Sequence, residues 1–412
     1  MPDGFRLDEK PAELADVAGF RTGIATCGLK RSGRPDVGVI LCVPDAGCGT
    51  AVFTRNAVAA APVRLSRPRA LAGRLRAVVA NSGNANCCTG ERGERDAAQT
   101  AALAAEALGV PEERVLVAST GVIGRPLDME KVRAGVTEAC ALALDGGRGD
   151  LAAAILTTDT VRKVASASGT LAGRPFRVAG TAKGAGMIAP DLGPPAATML
   201  AFVVTDAAAE PAALRAILPG AAERTFNRVT VDGDTSTNDT LCLMASGLAG
   251  NTPVADPGSP GGAVLAGAVE AVARELAVAI AADGEGATRL VEVRVTGAAS
   301  DRDADLAARA VANSPLVKTA AHGADPNWGR VLAAAGRSGA KVDERLATVR
   351  LQGSAVFERG GPIEPVPQAL GAKLREKRIA IELDLGLGAA SAEMWTCDLT
   401  RGYIEINAEY HT

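Results

Sequence analysis

The junction between Ala197 and Thr198 joins residue types that can generate a nucleophile from the chain itself. A loop of small residues over positions 183–190 leads towards the junction, and Thr198 opens an apolar run that ends at Val204. A threonine hydroxyl in such a place can attack the preceding carbonyl carbon and break the chain. The freed α-amine can then act as base for the same hydroxyl. The pattern therefore predicts an N-terminal nucleophile.

Histidine and cysteine offer little support for rival chemistries. The chain has two histidines, His322 and His411, so a histidine-based triad would depend on one of them and a two-histidine metal site would need both. The eight cysteines form no C-x-x-C pair, and their spacing matches no zinc pattern. We therefore expect no metal site.

Four polar or small-residue segments are candidates for the surroundings of a nucleophile: residues 81–86, 119–124, 157–160 and 232–240. In the second, Thr120 and Gly121 follow a predicted strand, where a hydroxyl and a backbone N–H can form an oxyanion hole. From this segment alone an ordinary turn is the preferred interpretation. The fourth segment holds three aspartates but lacks EF-hand spacing, so a hydrogen-bonded loop that supports a site is preferred over a calcium site.

Three further segments leave two interpretations each. Glu285, between two glycines after a predicted helix, could meet an ammonium group, or it could be a solvated residue of a capping turn. The segment Asp325–Arg330 is either a pocket wall or a packed turn, and Asp256–Gly262 is either a linker or a turn. Residues 403–412 begin with the alternation of a strand held in a sheet.

The composition is that of a packed α/β protein of two domains, or of one with a subdomain. The 412 residues are 47% hydrophobic but only 3% aromatic, and the net charge is −3. No basic stripe suggests a nucleic-acid or membrane partner. The beginning of the chain has no apolar signal region, and no apolar run approaches the length of a membrane span. We expect a soluble cytoplasmic protein with reduced thiols.

Strand and helix patterns alternate along the chain, which predicts an α/β fold with mixed sheets. Strands are predicted over 37–43, 77–80, 114–118, 198–204, 226–232 and 291–296, and helices over 95–108, 129–144, 211–218, 262–282 and 303–313. Residues 161–180 read as a hairpin that is broken at 168–169 and 172–173. No G-x-G-x-x-G follows a strand, so a dinucleotide site is weakly supported.

Taken together, these segments resemble the ornithine acetyltransferase family, also called glutamate N-acetyltransferase, a bifunctional acetyltransferase of arginine biosynthesis. The resemblance covers nearly the whole chain. It rests on ordered matches at 52–56, 119–124, 157–159, 183–187, 197–200, 232–240, 283–286, 325–330 and 407–412. The most specific of these are Ala-Thr-Met-Leu at 197–200 and Asp-Pro-Asn-Trp-Gly-Arg at 325–330.

The resemblance implies self-cleavage between Ala197 and Thr198 and makes Thr198 the acyl-accepting nucleophile. It implies that Thr120 and Gly121 form the oxyanion hole. It places the following residues at the substrate: Thr157, Lys183, Thr198, Glu285, Asn407 and Thr412. The implied fold is a layered α-β-β-α sandwich over residues 1–285, with a smaller C-terminal α/β domain over 286–412 whose tail returns to the active site.

The implied reaction moves an acetyl group from N2-acetylornithine to glutamate through acetyl-Thr198, and gives ornithine and N-acetylglutamate. Lys183 would then pair with a substrate carboxylate, and Glu285 would face the ornithine amine. No metal or organic cofactor is expected, with acetyl-CoA as a candidate second acetyl donor. The two chains, 1–197 and 198–412, are expected to assemble as a heterotetramer.

The approach to the junction departs from the family pattern, because residues 193–196 look inserted and include two prolines. Prolines stiffen the chain next to the bond that must break. Slower self-cleavage, an outward bulge and a reshaped acyl pocket are the open alternatives. A reshaped pocket would favour an N-terminal-threonine amidohydrolase, or an acyltransferase for another amine. A binding module with a degenerate site is a third alternative.

Overall fold

The computed structural model describes residues 4–193, 199–366 and 368–409. In these ranges the strands, in chain order, are β1 (Phe5–Leu7), β2 (Phe20–Ala25), β3 (Val37–Cys42), β4 (Cys48–Thr54), β5 (Ala77–Asn84), β6 (Val115–Val122), β7 (Lys163–Leu171), β8 (Arg174–Lys183), β9 (Leu192–Gly193), β10 (Leu200–Thr205), β11 (Thr240–Ala245), β12 (Leu290–Ala298), β13 (Thr348–Leu351), β14 (Ser354–Glu358), β15 (Gly361–Pro362), β16 (Arg378–Asp384) and β17 (Ala390–Cys397). The helices are α1 (Ala61–Leu71), α2 (Gly90–Leu108), α3 (Met129–Leu144), α4 (Leu151–Ile155), α5 (Pro211–Arg224), α6 (Pro260–Ala282), α7 (Asp301–Ala312), α8 (Pro315–Gly323), α9 (Trp328–Gly336), α10 (Gln368–Lys373) and α11 (Arg401–Glu409).

Two mixed sheets face each other in the N-terminal part of the chain. One has the strand order β1-β7-β8-β10-β11-β4-β9 and the other β2-β3-β5-β6. A shared core joins their inner faces, with Ile40 and Val78 from one sheet and Phe202 and Met244 from the other. A strand that is covered on both faces of its sheet is buried along its whole length. In β10, which lies in such a position, every residue is buried.

Helices cover the outer face of each sheet. The helices α2 and α3 pack on the four-stranded sheet, where Ala101 and Val136 meet Val39 and Val117. On the seven-stranded sheet, α6 packs against β7 and β8, and α5 packs against β4 and β11, in a second apolar cluster. These layers confirm the predicted α-β-β-α sandwich with mixed sheets.

A third sheet lies in the C-terminal part of the chain, with the order β15-β14-β13-β16-β12-β17. Its core is separate from the others and joins Val293 and Ile381 of the sheet to Ala308 of α7 and Val331 of α9. The division predicted between residues 285 and 286 falls between α6 and β12, and it stays a prediction.

Two predicted strands are wrong. The described part of the C-terminal tail, up to Glu409, belongs to the helix α11, in which no side chain is buried; Ile404 is 65% exposed. The alternation of apolar and polar residues in this tail therefore does not mark a strand with one face in a core. A helix satisfies the backbone N–H and C=O groups of the tail without a neighbouring strand. Residues 226–232 begin with a 3-10 turn at Phe226–Arg228, and their only bridge is Val229 with Trp395. Their apolar side chains are buried beneath α5 and α6 instead of being paired in a sheet.

The predicted hairpin is confirmed, but its first break is wrong. The strand β7 continues through Gly169, which pairs with Phe5 on one side and Phe176 on the other. A Cβ at Gly169 would lie 2.5 Å from the carbonyl oxygen of Gly4, so this glycine permits the close approach of β1 instead of a turn.

Two further segments have a definite local structure. Residues 256–262 form a turn into α6, with Ser259 as the N-cap. Residues 325–327 lead into α9, with Asn327 as its N-cap, and Trp328 begins this helix. The Trp328 ring stacks on Phe357, with ring centroids 4.8 Å apart, so Trp328 packs against the C-terminal sheet. The eight cysteines are free thiols. Within the described ranges, no helix has the length and apolar character that crossing a bilayer requires.

Candidate active site

A cavity of about 150 Å³ lies where the ends of β6 and β8 meet the segment after α6. Six residues that the resemblance placed in the site line it together: Thr120, Gly121, Thr157, Lys183, Glu285 and Asn407. They come from both sheets of the sandwich, from the loop before β7, from the segment between α6 and β12, and from the C-terminal helix. Folding therefore brings the described candidates into one place, while their roles stay predictions.

Lys183 is the buried cation of this cavity. Its Nζ donates hydrogen bonds to Thr157 Oγ1 at 2.8 Å and to Thr120 Oγ1 at 3.2 Å. An ammonium group only donates, so the hydroxyl hydrogens of both threonines are free to point elsewhere, including into the cavity. Burial lowers the pKa of Lys183, and the nearby Asp159 opposes that shift.

Thr120 and Gly121 lie within β6, so the ordinary turn preferred for this segment is wrong. Gly121 has φ +128°, and a Cβ there would collide with the backbone of Gly83 on the neighbouring strand β5. Only glycine fits both the backbone angle and the space. Asn238 holds this strand end in place, because its Nδ2 donates to Ser119 O at 2.9 Å.

Asp159 connects the loop that carries Thr157 with the end of β8 that carries Lys183. Its carboxylate accepts from the backbone N–H of Thr157 at 3.1 Å and of Gly184 at 2.6 Å, and from Lys163 Nζ at 2.8 Å. Burial would raise the pKa of Asp159, but the cations Lys183 and Lys163 outweigh burial and lower it to about 2. The carboxylate is thus charged, and it fixes the backbone on both sides of the cavity.

Lys163 extends this network to the third side of the cavity. Its Nζ, which is fully buried, also contacts Asp283 Oδ2 at 2.5 Å, two residues before Glu285. Lys163 was not among the site residues predicted from the sequence. A lysine in a strand of alternating pattern is normally predicted to face solvent. The sequence does not show that the carboxylates of Asp159 and Asp283 both contact Lys163. The polar segment 157–160 was the only signal that pointed to Asp159.

Glu285 supplies the negative end of the cavity. Its side chain accepts a hydrogen bond from Asn407 Nδ2 at 2.8 Å, and its backbone N–H donates to Ala185 O at 2.9 Å. A Cβ on Gly186 would collide with the Glu285 carboxylate, so this glycine makes room for it. Glu285 is only 9% exposed, so the solvated alternative is wrong. An ammonium group in the cavity would find a carboxylate held in place.

The loop 232–240 supports the site through hydrogen bonds. Asp232 accepts from the backbone N–H of Met187 at 2.6 Å and of Ile188 at 2.9 Å. Burial raises the pKa of Asp239 well above its usual range, and no described residue donates a hydrogen bond to its carboxyl oxygens. Across the described ranges, no group of three or more histidine, cysteine, aspartate or glutamate residues is arranged to hold a metal.

Several sequence predictions lie outside the described residues: Ala197, Thr198, Thr412 and the insertion at 193–196 beyond Gly193. The described chain resumes at Met199, whose carbonyl oxygen accepts from Thr240 N at 2.7 Å. The next residue, Leu200, pairs with Lys183 across the strands β10 and β8. The chain therefore enters β10 beside the cation of the cavity.

Comparison with known proteins gives a consistent result over nearly the whole chain. Residues 21–412 match the model of the ArgJ family. A protein of Symbiobacterium thermophilum, named arginine biosynthesis bifunctional protein ArgJ, is 50% identical over 396 residues, which cover 96% of this chain and 97% of the relative. A protein of the same name from Geobacter sulfurreducens is 48% identical over 402 residues, 96% of this chain and all of the relative.

One solved structure is similar in both sequence and fold. It is the crystal structure of arginine biosynthesis bifunctional protein ArgJ from Bacillus halodurans, which is 42% identical with a TM-score of 0.50. The match covers 52% of this chain and 100% of that chain.

Proposed function

The chain belongs to the ArgJ family, and on that premise we propose that it moves the acetyl group of N2-acetylornithine to glutamate through an acetyl ester of Thr198. The protein is an acetyltransferase of arginine biosynthesis. The observation that carries the proposal is the shared cavity, in which Thr120, Gly121, Lys183 and Glu285 meet beside the start of β10. The proposed nucleophile comes two residues before Leu200.

The first half-reaction acylates the enzyme. Cleavage after Ala197 gives Thr198 a free α-amine, whose ordinary pKa near 8 suits a general base at neutral pH. The Thr198 hydroxyl attacks the acetyl carbonyl and its proton passes to the α-amine. The Thr120 hydroxyl and the Gly121 N–H stabilise the oxyanion. Collapse breaks the amide bond, the proton returns to the leaving nitrogen, and ornithine departs.

The second half-reaction reverses the sequence with a new amine. The amine of glutamate attacks the acetyl-Thr198 ester, the same donors stabilise the oxyanion, and Thr198 leaves as the hydroxyl. N-acetylglutamate is released. The covalent ester divides one difficult amide exchange into two easier steps.

Charge decides how the donor binds. Lys183 is buried, and its hydrogen-bond acceptors among the described residues are two hydroxyls, so a substrate carboxylate would add a charged acceptor in direct contact with it. Glu285 would receive the side-chain ammonium of the donor. Asn407 and Thr157 would complete the hydrogen bonds around the substrate, together with Thr412.

The decisive experiment follows Thr198 directly. Intact mass and denaturing electrophoresis of the purified protein are expected to show two chains, 1–197 and 198–412. Incubation with N2-acetylornithine alone should add one acetyl group to Thr198. The variant Thr198→Ala should remain uncut and unlabelled, and Thr198→Ser, which keeps a hydroxyl, should retain part of both activities. An unbroken chain with full activity would contradict the mechanism.

The acceptor is tested by product analysis. With glutamate present we expect N-acetylglutamate in equal amount to ornithine; without glutamate, turnover should stop after one acetylation. Release of acetate in the absence of glutamate would instead support the amidohydrolase suggested by the insertion before Thr198.

Four further proposals accompany the function. We propose that the cleaved chains form a heterotetramer, which native mass measurement tests. We propose that no metal or organic cofactor takes part, and that acetyl-CoA is a second donor, which is tested by replacing N2-acetylornithine with acetyl-CoA. We also propose a cytoplasmic location, since eight free thiols suit a reducing compartment.

A further inference from the structure

A second cavity, of about 270 Å³, adjoins the active-site cavity. Lys30, Arg31 and Arg125 line it together with Gly83, Val122 and Thr157. No carboxylate is among the described residues that line it. We call it the basic cavity. Thr157 lines both cavities, so they adjoin at this residue.

Among the described residues, no carboxylate forms an ion pair with the three cations of the basic cavity. Arg31 and Arg125 are exposed, and within the described parts of the chain neither guanidinium forms an ion pair or a side-chain hydrogen bond. The Lys30 Nζ donates to two backbone carbonyls, Pro35 O at 2.8 Å and Ala154 O at 2.9 Å. Burial lowers the pKa of Lys30 to about 8, although Asp36 opposes the shift. An anion that entered this space would relieve the repulsion between like charges.

The inference rests on the proposed function, because it concerns the two substrates of that reaction. N2-acetylornithine carries a positively charged side chain, and glutamate carries a negatively charged one. Both have an α-carboxylate that Lys183 can bind. The donor's ammonium suits Glu285, but the side-chain carboxylate of glutamate would face that same negative residue at close range. The active-site cavity alone therefore favours the donor and opposes the acceptor.

We propose that the basic cavity binds the side-chain carboxylate of the acceptor. Donor and acceptor then share Lys183 and the oxyanion hole, while their side chains extend in opposite directions from Thr157. The position of the basic cavity favours a short dicarboxylate. Its rim residue Thr157 is 2.8 Å from Lys183 Nζ, and glutamate has only a short methylene chain between its two carboxylates. The phosphates of a CoA thioester lie much farther from the acyl group.

The test uses Arg31→Gln, Arg125→Gln and the double variant, with Arg34→Gln as the matched control. Arg34 is exposed on the same loop as Arg31 and carries the same charge, but it does not line the basic cavity. We expect the KM for glutamate to rise roughly fivefold in each single variant, because exposed ion pairs contribute little individually. The double variant should show a larger rise. Arg34→Gln should stay within about twofold of the parent, the range of a neutral surface change.

Two further measurements separate the possible outcomes. The rate of Thr198 acetylation by N2-acetylornithine, followed by mass, should be unchanged in all variants. Glutamine, the neutral analogue of glutamate, should be a poor acceptor whose KM does not respond to the substitutions. Equal shifts for glutamate and glutamine, or equal shifts in Arg34→Gln, would overturn the proposal. A change confined to the KM for acetyl-CoA would also overturn the proposal, and it would show that the basic cavity binds the phosphates of CoA. Failure of Thr198 acetylation in the unmodified protein would instead overturn the proposed function.

Discussion

Among single residues, Thr120 is the one whose hydrogen-bond direction most affects the proposed oxyanion hole. Lys183 can only donate, so it occupies a lone pair of the Thr120 oxygen and leaves the hydroxyl hydrogen free. A positive charge behind the oxygen also makes that hydrogen a stronger donor. Thr120 is thus prepared to stabilise negative charge before a substrate arrives.

We predict that Thr120→Val lowers kcat about 100-fold to 1000-fold, because valine keeps the shape but removes one oxyanion donor. The KM should change little. Thr120→Ser keeps the hydroxyl and is the matched control. Steady-state kinetics on fully cleaved enzyme, verified by intact mass, would measure the effect. A variant with higher KM and unchanged kcat would place Thr120 in substrate binding instead.

Asp159 is the residue on which the buried charges depend. We predict that Asp159→Asn lowers the free energy of unfolding at pH 7 by about 3–5 kcal/mol, because Lys163 keeps its buried charge and loses one of its two carboxylate partners. Asp343→Asn, which breaks an exposed pair with Arg345, is the control and should change stability little. Urea unfolding measures both.

The pH dependence of this effect has a definite sign. The pKa of Asp159 falls from an ordinary 3.8 to about 2 in the folded protein. Ionised Asp159 therefore stabilises the fold fully at pH values above 3.8, its pKa in the unfolded chain. This stabilisation is lost as the pH falls towards about 2, its pKa in the folded protein. The difference between the parent protein and Asp159→Asn should shrink between pH 4 and pH 2. A difference that stays constant over this range would show that Asp159 acts through packing instead of charge.

At the scale of elements, the site depends on how closely β6 approaches β5. We predict that Gly121→Ala separates these strands, because the new methyl group would meet the Gly83 backbone. Stability and activity should both fall, by more than the 1–3 kcal/mol usual for overpacking. Gly124→Ala is the control, since Gly124 also has positive φ but open space around it. Thermal unfolding and kcat compare the two; similar losses in both would assign the effect to backbone angle alone.

Elements with a strong pattern were predictable, and elements fixed by distant partners were not. The helix α3 was predicted with the bounds that it has, since its apolar positions recur with a helical period. The helix α1 was missed because prolines at 62 and 68 argue against a helix in the sequence. The segment 226–232 was wrongly predicted as a strand. Its apolar residues are buried among helices, and this burial produces a strand-like sequence pattern although the segment is not paired in a sheet.

At the scale of the whole molecule, the C-terminal helix joins the site to the end of the chain. We predict that deletion of residues 407–412 raises the KM for N2-acetylornithine roughly tenfold, because Glu285 loses the charge-assisted hydrogen bond that orients it. The melting temperature should not change, since α11 buries no side chain. Asn407→Ala separates the share of Asn407 from that of Thr412. Unchanged kinetics in the deletion would remove both residues from the substrate.

The residue types of the site, the α/β class and the family could be predicted from the sequence, because ordered motifs and helical or strand periods are local properties of the chain. The fold was needed to find that Lys183, Glu285 and Asn407 share one cavity, that Asp159 and Lys163 are buried together, and that residues 401–409 form a helix. Burial and charge pairing depend on which distant segments meet, and a local pattern does not contain that information. The basic cavity beside Thr157 has the same origin, since it forms where a loop near the start of the chain meets the end of β6.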